Sequence, residues 1–146
     1  METEKERLSV ILSFEVLGAV VPKGRPRFTR FGSVYTPKKT TDYEKHVHRQ
    51  AEKALSETQS PGLISSPVRV FITVYMPIPQ SWSGKKKREA VGVAHSKKPD
   101  LDNLVKSVMD GMNKALFTDD SLVCDIRANK LYGETPRVVV TVETVD

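Results

Sequence analysis

The stretch PDLDNLVKSVMDGMNKAL, residues 99–116, decides how the chain is to be read. Leu101, Leu104, Val105, Val108, Met109, Met112 and Leu116 recur at helical spacing, while Asp102, Lys106, Asp110 and Asn113 fall on the opposite side. The pattern predicts an amphipathic helix with Asp100 at the N-cap and Asp102 at the second helical position. Its apolar stripe needs a sheet or a second helix to cover it.

Working outward, both kinds of partner are present. Downstream, 122–131 and 137–145 read as two strands joined by a turn at Gly133, an antiparallel hairpin. Upstream, Val68, Val70, Ile72 and Val74 alternate with Arg69, Phe71, Thr73 and Tyr75 until Pro77 and Pro79 end the run. Leu8 to Val16 alternates in the same way. Between these strands, Thr41 and Glu44 form a capping-box signature. Tyr43, Val47, Ala51, Ala54 and Leu55 then line one helical face until 56–62 breaks it. The stretch 22–37, with its prolines, glycines and three aromatics, reads as loop with at most a short hairpin, and Ser83 to Ala90 as one or two helical turns. The expected fold is therefore α+β: one domain over 1–146, with two principal helices packed on a mixed or mainly antiparallel sheet.

With 146 residues the chain is long enough for one hydrophobic core, and 38% hydrophobic with 28% charged residues argues against a disordered or fibrous protein. No apolar run approaches the roughly 18–20 residues that span a bilayer, and the opening Met-Glu-Thr-Glu-Lys-Glu is too charged for a signal peptide, so a cytoplasmic protein is expected. The single cysteine, Cys124, can form neither an internal disulfide nor a cysteine-rich zinc site, and is expected to be a small buried residue.

Charge is segregated more than the net +5 suggests. From Val20 to Thr41 there is no acid but six bases, Lys23, Arg25, Arg27, Arg30, Lys38 and Lys39. A second basic cluster, Lys85, Lys86, Lys87, Arg88, Lys97 and Lys98, holds only Glu89 as an acid, and six aspartates follow between Asp100 and Asp125. Either cluster alone is compatible with a solvated basic face; the two together point to nucleic acid.

The acids gather oxygen ligands: Asp100 and Asp102 at one helix end, Asp119 and Asp120 after the helix. Carboxylates without His or Cys suit a hard cation that keeps waters, Mg²⁺ or Mn²⁺, the ion for phosphodiester hydrolysis. Lys106, one turn after Asp102, would place positive charge by the developing phosphorane. The span from Asp100 to Asp120, on the order of 25 Å along a straight helix at ~1.5 Å per residue, requires the chain to turn back after Leu116. Each feature also has a plain structural explanation. Asp100 and Asp102 can cap a helix, Asp102 can pair with Lys106 on the surface, and Asp119-Asp120 can make a turn. His46, His48 and His95 show no ligand spacing with these acids. No EF-hand, Gly-rich phosphate loop or Ser-His-Asp order is present.

The runs Lys98-Pro99-Asp100-Leu101-Asp102-Asn103-Leu104 with Lys106, Asp119-Asp120 and Val123, Pro22-Lys23-Gly24-Arg25-Pro26-Arg27 with Tyr35-Thr36-Pro37, and Pro79-Gln80-Ser81-Trp82-Ser83 before Lys85 to Arg88 closely resemble the RusA family of Holliday junction resolvases. The resemblance implies a homodimeric, Mg²⁺-dependent endodeoxyribonuclease of bacterial or prophage origin that resolves four-way junctions by paired symmetric cuts in DNA recombination and repair. By motif position Asp100, Asp102 and Asp120 would hold metal and Lys106 would be the catalytic lysine. Lys23, Arg25, Arg27, Lys85, Lys86, Lys87, Arg88, Lys97 and Lys98 are the expected DNA contacts. Two alternatives stay open: a branched-DNA-binding protein without catalysis, and a nuclease for other branched DNA such as flaps.

Overall fold

A computed structural model describes residues 10–24, 27–59 and 62–145. Leu8 and Ser9, at the start of the first expected strand, lie outside the described residues. The chain runs β1 (Val10–Leu17), β2 (Arg27–Phe28), β3 (Val34–Tyr35), α1 (Lys38–Ser56), β4 (Val68–Pro77), α2 (Gly84–Ala90), α3 (Leu101–Met112), a 3-10 turn (Asp120–Leu122), β5 (Val123–Gly133) and β6 (Arg137–Thr144). Helices pack on a four-stranded mixed sheet of order β1-β6-β4-β5, with β4 and β5 parallel and the other neighbours antiparallel.

Alternation does its work in β4, where every second residue from Val68 to Val74 is fully buried and the residues between are half-exposed. Leu12 and Val16 of β1, and Val138, Val140 and Val142 of β6, face the same core. Val47 and Ala51 of α1 and Leu104, Val108 and Met112 of α3 close it from one side. Each large aliphatic side chain buried there contributes roughly 1.5–3 kcal/mol. The two helices cross closely at Gly111, where a Cβ would lie 2.7 Å from Val47 Cβ. His48 Nδ1 sits 3.1 Å from the Gly111 carbonyl at the same crossing.

Three expectations need correction. The hairpin of the last two strands does not form: β4 lies between β5 and β6 and bonds to both. The link 134–136 therefore crosses two strand spacings of about 4.8 Å each. Gly133 serves close packing instead of a turn, because a Cβ there would come within 2.8 Å of Tyr75 Cβ. The capping box is likewise not made. Helix α1 begins at Lys38, with Pro37 at its N-cap and the Thr41 amide and hydroxyl both donating to the Pro37 carbonyl, so Thr41 is already in the first turn. Cys124 is exposed, its thiol 3.5 Å from the Val68 carbonyl.

The residues before α3 are tied to β5 along its outer edge. Gly92 N–H donates to Tyr132 O, Tyr132 N–H to Val93 O and His95 N–H to Lys130 O, so this short extended segment covers an edge that would otherwise be bare. Lys130 Nζ adds bonds to the carbonyls of Lys97 and Pro99 at 2.6 and 2.7 Å.

Candidate active-site groove

Helix α3 ends at Met112, short of the Leu116 limit of its apolar pattern. Lys114 takes a left-handed φ of 64°, and Phe117 is buried as Ile64 N–H donates to Leu116 O and Thr118 N–H to Ile64 O. The chain thus reverses, and β5 runs back beside α3. The start of α3 lies near Lys130 and its last turns lie near Asp120 and Val123, so Asp102 and Asp120 enter one groove from opposite ends of its length.

Between α3 and β5 runs an open groove of about 820 Å³. Its apolar floor is Leu101, Val105 and Met109 from the helix with Val123, Ile126 and Ala128 from the strand. Its charged lining is Asp102, Lys106 and Asp110 from α3 and Asp120 from the turn. The fold therefore brings Asp102, Lys106 and Asp120 to one concavity from opposite sides of a long connection. Asp102, Lys106 and Asp120 are exposed, and among the described residues no ion pair joins Asp102 to Lys106.

Asp100 stands just outside this lining. It occupies the N-cap with φ −68° and ψ 142°, yet its carboxylate makes no capping bond; it accepts from Lys98 Nζ at 2.7 Å. That hydrogen bond, reinforced by the charges of Lys98 and Lys130, holds Asp100 below the usual carboxylate range and keeps it ionised. Asp119 does have a structural duty: its carboxylate accepts from the Ser121 amide at 3.1 Å and caps the 3-10 turn, leaving Asp120 uncommitted beside it. The two neighbouring aspartates are thus told apart by what they bind.

Hard oxygen donors are the right chemistry for Mg²⁺, which takes one or two carboxylates and otherwise keeps water or phosphate oxygens. Among the described residues, no three His, Cys, Asp or Glu side chains stand close enough together to hold a metal ion between them. Asp102 and Asp120 line the groove, and their carboxylates, like that of Asp100 outside the lining, are hard donors of the kind Mg²⁺ takes in ones or twos.

The basic residues divide. Lys85, Lys86 and Arg88 of α2 and Lys97 and Lys98 of the connection to α3 are exposed, and Lys87 of α2 is half-buried. Lys23 is placed differently: its ammonium pairs with Glu44 of α1 and, at 2.9 Å, with Asp110 of α3, and its side chain is only 18% exposed. Burial works against that charge, but the hydrogen bonds and Coulomb attraction from the two acids prevail and raise its pKa above the ordinary lysine value. Arg25 lies outside the described residues, and Arg27 is in β2, opposite Tyr35. The sequence reading missed Asp110 as a groove residue and Lys23 as its partner; Asp110's place on the polar face of α3 was the available signal.

A family model described as endodeoxyribonuclease RusA matches residues 18–143, a span that holds the whole groove. The chain belongs to the RusA family. It is also 36% identical over 141 residues to the uncharacterised protein YqaN of Bacillus subtilis (strain 168), covering 92% of this chain and 96% of that protein. No helix among the described residues is long and apolar enough to cross a membrane. The mixed sheet with its helices is thus the frame on which this RusA-family member carries its groove.

Proposed function

We propose that this protein is a Mg²⁺-dependent endodeoxyribonuclease, its 146 residues forming one nuclease domain, that resolves four-way DNA junctions by paired symmetric incisions in recombination and repair. The observation that carries the reading is the meeting of Asp102, Lys106 and Asp120 in one groove of a RusA-family chain. Asp100, Asp102 and Asp120 are the carboxylates that would hold the cation, with Mn²⁺ as a substitute. When bound, the cation supplies Lewis acidity toward the phosphoryl oxygen and a more acidic water.

The chain's own contributions follow from position. Lys106, one helical turn from Asp102, places a fixed positive charge where a phosphorane gains negative charge. Lys98, which pairs with Asp100, would have to release that carboxylate for it to hold a cation. The exposed bases of α2 and of its connection to α3 bind DNA phosphates, with Arg25 and Arg27 as further phosphate contacts. One groove cuts one strand, so two opposed cuts call for a symmetric homodimer whose two-fold axis matches that of the junction.

The test is incision of a synthetic four-way junction beside a linear duplex of the same sequence, with Mg²⁺, with Mn²⁺ and with chelator, together with sedimentation of the free protein. Paired cuts in the junction alone, dependent on metal, are expected. Binding without incision under every metal condition would leave a branched-DNA-binding protein. Equal cutting of flaps would broaden the substrate to branched DNA in general.

A further inference from the structure

The single tryptophan, Trp82, lies in the loop before α2, away from the groove lining, and none of the carboxylate chemistry uses it. Its indole is half-buried, packed at 5.5 Å and a 54° tilt on Tyr132 of β5, which in turn meets His95 edge-on at 4.7 Å. Tyr132 is itself pinned through both backbone groups to the extended segment 92–93. The indole is therefore rigidly mounted on the sheet.

Two ammonium groups are drawn to this ring from separate segments. Lys86 of α2 places Nζ 4.0 Å from the ring centroid, and Lys97, beyond the edge segment, places Nζ at 5.6 Å. Both distances lie within cation–π range. The backbone on each side is fixed as well. Ser83 caps α2 by accepting from Lys86 N–H, and Lys130 holds the carbonyl of Lys97. Lys98, next along, turns the other way to Asp100.

We infer that Trp82 is a positioning residue for DNA binding, an aromatic post that gathers Lys86 and Lys97 into one two-ammonium phosphate clamp. The inference rests on the DNA-binding reading above and deepens it. A long lysine side chain loses rotamer freedom when it grips a phosphate; a ring that already restrains it removes part of that loss before the DNA arrives. Lysines on α2 such as Lys85 lack this restraint and act as ordinary mobile surface charge.

The experiment is a thermodynamic cycle on the full-length chain, with junction affinity measured for the parent, W82L, the K86A/K97A pair and the combined triple variant, each at several salt concentrations. Loss of the ordering saved on two lysines predicts binding weakened by about 5- to 30-fold in W82L. It also predicts that the lysine pair costs clearly less in the W82L background than in the parent. W82F, which keeps an aromatic face, should recover much of the loss. Thermal melts accompany each variant, because a tryptophan that only supports the fold would lower Tm while leaving the effect of K86A/K97A unchanged. Additivity of the two changes with a parent that binds DNA overturns the clamp alone. A parent that binds neither junction nor duplex overturns the DNA-binding reading and the clamp with it.

Discussion

Replacing Lys23 by Met deletes the ammonium and keeps most of the unbranched stem, and it separates two roles that a basic residue in this stretch can have. In the structure the charge lies between Glu44 of α1 and Asp110 of α3, with side-chain exposures of 18%, 22% and 34%. A contact near 3 Å in a medium of effective dielectric about 20 carries a gross attraction of roughly 5 kcal/mol, most of it offset by desolvation. Removing one partner of a fully buried pair costs about 3–5 kcal/mol and of a surface pair about 0–1 kcal/mol. This site lies between those limits, so a loss of about 2 kcal/mol is expected. For a chain of this size that lowers Tm by roughly 4–8 °C.

The pH dependence follows from the raised pKa of Lys23. A group whose pKa is higher folded than unfolded stabilises fully below the unfolded value near 10.5, and the contribution disappears as pH climbs through the folded value. The parent and K23M should therefore differ most at neutral pH and converge in strong alkali. Adding E44Q and D110N to K23M should restore part of the stability, since no unpaired half-buried charge remains. The salt dependence of junction binding, followed by gel shift, should match the parent. An unchanged Tm together with a fall of about 0.9 in the logarithmic salt slope would make Lys23 a phosphate contact and refute the interhelical pairing.

Asp120→Asn should reduce single-turnover cleavage by about 100-fold or more with junction affinity kept or improved, whereas Asp119→Ala, which removes the acceptor of the Ser121 amide, should chiefly loosen the 3-10 turn and lower thermal stability. Lys106→Ala should leave cation binding, measured by calorimetry, intact and slow the chemical step by on the order of 2–4 kcal/mol, roughly 30- to 900-fold. Gly111→Ala sets better helix propensity against a Cβ 2.7 Å from that of Val47, and the clash prevails. A net loss of about 1–3 kcal/mol should appear as a lower urea midpoint at unchanged m-value.

Local patterns carried much of this structure in legible form. The alternation in β1, β4 and β6 and the apolar stripe of α3 are one-dimensional records of a one-sided core, and each element appears where its pattern lies, except that α3 stops at Met112 and leaves Leu116 buried beyond it. The place of β4 between β5 and β6 has no such record. Parallel pairing joins 68–77 to 123–133 across a long connection, and nothing in Gly133-Glu134-Thr135-Pro136 distinguishes a link over one strand from a link over two. The start of α1 was misread because Thr41 and Glu44 match a cap pattern while packing assigned Glu44 to Lys23. In the groove, the residue types and their spacing were visible, but the direction of each carboxylate was not. Only the fold separates Asp119, which holds the Ser121 amide, from Asp120, and shows that Asp100 caps nothing and binds Lys98.

The bonds from Lys130 to the carbonyls of Lys97 and Pro99 have a consequence for the order of folding. Strand β5 meets α3 at two places, through Lys130 at the helix start and through the Asp120–Val123 end near its last turns, so the strand acts as a ruler for the groove. That ruler is placed by its parallel register on β4, and a slip of one residue would shift both points by about 3.3 Å and turn alternate side chains to the wrong face. Pairing of this kind is non-local and slow compared with helix formation. A refolding chain can therefore acquire its helices while Asp102 and Asp120 are still unaligned, and the groove is complete only once β5 has paired with β4.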